Sequence, residues 1–187
     1  MFTKFYRDWG SRGSLAEVWI DESAGLCKKL YKPDGITFRG TPSQHSDYAE
    51  VESLYKNEVH WSLTLPSDVA VKLIDHGTLE NNKGFFIVQE YVGPDLLTYF
   101  SNNTLFEHFP DIVDQLESMF STFKQFDVYK INNALSNLTG SNGKIKAFDF
   151  KYARVRCAEG KKYEEHSIDE WLSKIHPTLK EKLLAYI

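Results

Sequence analysis

Short apolar runs alternate with turn signals at the start of the chain, "LAEVWI" (15–20), then the turn "DESAG", then "LCKKLY" (26–31), which predicts a β-hairpin. The glycine-containing stretch "GSRGS" precedes it, and "PDGITFRGTPSQ" (33–44), with two prolines and two glycines, reads as an exposed loop. A helical period follows. Val51, Leu54, Tyr55, Glu58, Trp61, Ser62 and Leu65 fall on one face of a 3.6-residue repeat, in a helix opened by a capping box of Asp47 and Glu50 and closed by Pro66. Glu58 thus lies inside an apolar stripe, where a carboxylate needs a partner. Strands are expected again at "VAVKLIDHG" and "GFFIVQEYV", joined by "TLENNKG".

Beyond "GPD" the pattern turns helical. "LLTYF" predicts a short helix, and "DIVDQLESMFSTFKQF" places Ile112, Leu116, Met119, Phe120 and Phe123 on one face. Two short strands are expected around Leu138 and in "KIKAF", with "TGSNG" as their turn, and Ser167–Ile187 reads as one or two helices broken by Pro177. The fold class that follows is α+β, with an antiparallel sheet and one helix first and a mainly helical half second.

At 187 residues the chain has room for one sizeable core or two small lobes. A net charge of -4 supplies no global basic field, so no nucleic-acid partner is indicated. Cys27 and Cys157 lack CxxC spacing and no apolar leader opens the chain, which predicts a reduced, cytoplasmic location without disulfides or structural zinc. The apolar runs are strand-sized, far short of the roughly 20 residues that span a bilayer, so no membrane partner is expected. The six histidines never pair at HxH or HxxxH spacing, which argues against a histidine-built metal site.

One stretch carries chemistry. "DVYKINNALSNLTGSNGKIKAFDFKYAR", with Asn137 twelve residues before Asp149-Phe150, resembles the catalytic loop and metal-binding turn of bacterial and viral protein-kinase-like phosphotransferases. The resemblance extends over roughly residues 8–155. It implies a minimal two-lobe kinase-like fold, with a first lobe of about residues 1–92 containing a five-stranded antiparallel sheet, and a reduced helical lobe from about 93 to 187. It also implies ATP and Mg²⁺ as cofactors, with Asn137 and Asp149 as metal ligands.

The family's phosphate-orienting Lys–Glu pair maps onto "CKKLY" and Glu58. Neighbouring strand residues face opposite ways, so only one of Lys28 and Lys29 meets Glu58. Lys29 is favoured because the family places a small residue two positions earlier, against adenine, where this chain has Cys27; Lys28 is the alternative register. "GSRGSLAEV" resembles the loop that covers ATP, with Gly10, Gly13, Ser14 and Val18 in order but no full GxGxxG. "FFIVQEYV" resembles the strand and hinge that bind adenine through backbone groups of Glu90 and Val92, with Gln89 as gatekeeper.

The departures from the family are equally specific. Asn132 stands where the general-base Asp is expected, Lys130 replaces a His or Tyr, Ala134 replaces a phosphate-supporting Lys, and Lys151 replaces the Gly of the metal turn. The stretch after that turn is too short for the peptide-binding helices of eukaryotic kinases. Two functions follow: an atypical ATP-dependent phosphotransferase whose acceptor is unknown, or a pseudokinase that binds a nucleotide or docks a protein partner.

Overall fold

A computed structural model describes residues 1–4, 16–33 and 48–187. The class is α+β, and the chain divides into two compact units, Met1–Leu63 with Lys72–Tyr91, and Thr64–Val71 with Val92–Ile187.

The first unit is an antiparallel sheet faced by a helix. Its strands are β1 (Thr3–Lys4), β2 (Ala16–Asp21), β3 (Leu26–Tyr31), β4 (Leu73–Thr78) and β5 (Phe85–Glu90), in the order β1-β2-β3-β5-β4. The "DESAG" turn joins β2 to β3, and Gly25 at its end has φ +64°, a conformation glycine adopts without steric cost. Alternation along β3 buries Cys27, Lys29 and Tyr31 on one face. Helix α1 (Tyr48–Thr64) lays Val51, Tyr55 and Val59 against Tyr31, Phe85 and Ile87. Tyr55 stacks on Phe85 at 4.6 Å between ring centroids, a geometry that adds about 0.5–1.5 kcal/mol to the area buried. The α1 start falls next to Asp47, which, like "GSRGS" and most of "PDGITFRGTPSQ", lies outside the described residues.

The second unit is mainly helical: α2 (Leu96–Ser101), α3 (Leu105–His108), α4 (Ile112–Gln125), α5 (Ala158–Trp171) and α6 (Leu179–Leu184). The five apolar residues read from the α4 repeat are all buried. Helix α4 packs against α6 and against β6 (Val128–Tyr129), which pairs with β9 (Arg154–Val155). A second hairpin, β7 (Leu138–Ser141) with β8 (Lys144–Ala147), turns at "SNGK".

Three elements differ from the pattern-based expectation. The strand expected across "VAVKLIDHG" begins only at Leu73; Val69 and Val71 instead bond the backbone of Ala147, Ala147 N–H donating to Val69 O at 2.8 Å and Val71 N–H to Ala147 O at 2.9 Å. That apolar run is buried by the second unit, whereas the strand belongs to the first. The helix expected from Ser167 starts earlier, at Ala158, where the Cys157 side chain accepts from Gly160 N–H. The two-residue pair β6–β9 has too little alternation to read from sequence.

Candidate functional site

In the first unit, Lys29 rather than Lys28 meets Glu58. Val18 lies opposite Lys29 on β2, and Lys29 Nζ donates to Glu58 Oε1 at 2.5 Å, with Lys29 6% and Glu58 0% exposed. Tyr31, two residues along the same face of β3, donates its hydroxyl to the other carboxylate oxygen, Glu58 Oε2. One buried carboxylate therefore has a donor on each oxygen, which is what makes its burial tolerable. Lys28 projects from the opposite face, its Nζ 5.5 Å from the Phe86 ring centroid. Cys27 is buried on the Lys29 face, and burial pushes its thiol above the ordinary range, so it is a small apolar surface rather than a nucleophile.

At the end of β5, Gln89 is buried opposite Cys27. The Glu90 N–H donates to Lys72 O at 2.9 Å, and Glu90 Oε1 accepts from Lys72 N–H at 2.7 Å. Val92 is half-buried and begins the longer segment of the second unit, while Gly10, Gly13 and Ser14 lie outside the described residues.

In the second unit, residues 128–150 bring together what the loop resemblance singles out. Asn137 is buried at the end of a 3₁₀ turn, Leu135–Asn137, its N–H donating to Ala134 O at 2.7 Å and its carbonyl accepting from Phe148 N–H at 3.1 Å. That last bond brings the backbone of Asn137 beside the residue preceding Asp149. Asp149 has φ +64°, a left-handed conformation that Asp tolerates better than most residues. Lys151 Nζ donates to both its carboxylate oxygens, at 2.8 and 2.9 Å.

The loop around Asn132 has its own supports, which the sequence reading missed. Ile131 has φ +71°, an outlying conformation for a β-branched residue. Its N–H donates to the carboxylate of Glu164 on α5, and the Asn133 N–H donates to Ser167 Oγ at 2.8 Å, one turn further along the same helix. Glu164 is 1% exposed; burial pushes its carboxyl up, opposed by the Ile131 N–H and by the nearby Lys130 charge. Lys130 is fully buried, donates to Asn132 O at 2.5 Å and lies 5.5 Å from the Phe150 ring centroid, so it joins the loop to the Asp149-Phe150 turn. The signal for Glu164 and Ser167 was present as helical spacing, since Gly160, Glu164, Ser167 and Ile168 form the buried face of α5. The signal for Tyr31 was its i+2 relation to Lys29 on a strand.

The donor chemistry fits a hard cation. Asp149 and Asn137 supply a carboxylate and an amide oxygen, and magnesium characteristically keeps few protein ligands and completes its shell with water and phosphate. Among the described residues no group of three His, Cys, Asp or Glu converges, so such a cation would rely on those two side chains and its substrate. No family model matches the chain, and no curated protein matches it with significant similarity.

Proposed function

We propose that this chain is an atypical, minimal kinase-like phosphotransferase that uses ATP and magnesium, the sheet-based unit serving as the first lobe and the helical unit as a reduced second lobe. The observation that carries the reading is the buried pair of Lys29 and Glu58, completed by Tyr31. A buried ion pair gains little stability over apolar side chains of similar volume, so stability alone gives β3 and α1 little reason to keep one. Orienting nucleotide phosphates supplies the reason.

In this reading Lys29 binds phosphate oxygens of ATP, Glu58 fixes the ammonium, and Tyr31 fixes Glu58. Asp149 and Asn137 would hold magnesium, which would supply positive charge to offset that of the phosphates. Glu164 and Ser167 hold the backbone of the loop that presents Asn132. Transfer forms a bond from an acceptor oxygen to the γ-phosphorus and breaks the bond from that phosphorus to the β–γ bridging oxygen, leaving ADP. Asn132 can orient the acceptor hydroxyl but, as an amide, takes no proton at neutral pH, so the proton passes to water. Losing a general base costs about 10²–10⁴-fold, and positioning with charge stabilisation carries the rest.

A pseudokinase is the second reading, favoured by Asn132 and by the ammonium of Lys151 on Asp149. Phosphate release from ATP and self-phosphorylation, measured in the wild type, Asp149→Ala and Asn132→Asp, separate the two. The phosphotransferase reading expects slow turnover abolished in Asp149→Ala and raised about 10²–10⁴-fold in Asn132→Asp. Turnover that persists unchanged in Asp149→Ala excludes the mechanism. Nucleotide binding without turnover, even in Asn132→Asp, leaves the pseudokinase.

A further inference from the structure

Lys151 stands where the kinase-like turn carries glycine, and its ammonium is bonded to both oxygens of Asp149, at 2.8 and 2.9 Å. The two side chains are only 14% and 13% exposed, so the pair is largely withdrawn from water and its attraction is weakly screened. The ammonium also lies over an aromatic face, with Nζ 5.5 Å from the centroid of the Tyr152 ring. Asp149 itself is fixed by its left-handed backbone within the short stretch between β8 and β9.

We infer that Lys151 is a built-in cation for the Asp149 carboxylate, one that competes with a divalent metal and sets its affinity. The inference rests on reading Asp149 as the metal ligand. A divalent ion reaching Asp149 must displace both ammonium hydrogen bonds and then share the site with a displaced positive charge, and each effect disfavours it. A glycine at this position would present no such competitor. Lys151 thereby determines how much metal the site requires, and its displacement is the step that opens Asp149 to the ion.

Mn²⁺ alone, without nucleotide, is the probe: free Mn²⁺ is counted by electron paramagnetic resonance as full-length protein is titrated in. The wild type is compared with Lys151→Met, Lys151→Gln, Lys151→Arg and the double variant Lys151→Met/Asp149→Asn, each checked for the native circular dichroism spectrum. The expected result is at least about tenfold tighter Mn²⁺ binding in Lys151→Met and Lys151→Gln, wild-type affinity in Lys151→Arg, and loss of the gain in the double variant; tenfold corresponds to about 1.4 kcal/mol. Equal affinity in the wild type and both neutral variants overturns the inference, as does a gain that survives Asp149→Asn. ATP binding to the same proteins by calorimetry is a separate readout: its absence removes the phosphotransferase reading, while the Mn²⁺ ranking decides the role of Lys151 in either case.

Discussion

Glu58 shows how much one side chain constrains its surroundings. Its burial forces a donor onto each oxygen, and the strand alternation of β3 delivers both, Lys29 and Tyr31, from the same face. Removing one partner leaves buried charge uncompensated, so Lys29→Met is expected to destabilise the protein by about 3–5 kcal/mol. Tyr31→Phe should cost about 1.5–3 kcal/mol, the worth of a hydrogen bond to a charged group. The double variant Lys29→Met/Glu58→Leu should recover most of the Lys29→Met loss, because no unpaired charge remains. Urea denaturation midpoints check all three, and a Lys29→Met protein as stable as the wild type would show that the pair is not buried as described. Strand alternation left Lys28 and Lys29 both open, and only the kinase-like resemblance, with Cys27 two positions earlier, favoured Lys29; the roles of Tyr31 and Lys151 were not read, because they depend on where two other side chains end.

At the scale of elements, the repeats on α1 and α4 were legible because a long amphipathic helix shows its period several times over. Val69–Val71 and the pair β6–β9 were not, since three apolar residues fit a strand or a core contact equally and only the backbone partner at Ala147 decides. Close packing of backbones also sets demands that composition hides. Gly84 precedes β5 with φ +134°, and a Cβ there would lie 2.0 Å from the Tyr31 carbonyl oxygen, whereas at Gly25 a Cβ would meet nothing within 4 Å. Gly84→Ala is therefore expected to cost more than about 2 kcal/mol, and Gly25→Ala only about 1–2 from its left-handed backbone. Thermal unfolding of the two variants side by side tests this ordering, and a reversed order would contradict the register of β3 and β5.

Over the whole molecule, the pH dependence of stability registers what a single buried carboxyl does. With its carboxyl pushed up by burial, Glu164 keeps a proton in the folded chain after the unfolded chain has released it. Between the ordinary value near 4.5 and the raised folded value, the folded state binds more protons, so this group makes stability fall as pH rises and then level off. Glu164→Gln can still accept from Ile131 N–H but does not titrate. The melting temperature of the variant minus that of the wild type should therefore climb with pH from about 4 upward; a flat difference would show that burial does not shift Glu164. By itself the sequence determined the α+β class and the amphipathic helices α1 and α4, and through a family resemblance it singled out the stretch from Asn132 to Asp149 as a candidate site, because periodicity and local motifs are properties of neighbouring residues. Only the tertiary structure decided that Tyr31 completes Glu58, that Glu164 and Ser167 hold the loop, and that Lys151 closes on Asp149. The first two joins cross 27 or more residues of chain, and the third depends on the left-handed turn at Asp149, so residue spacing could place Tyr31, Glu164 and Ser167 on a face but could not name their partners.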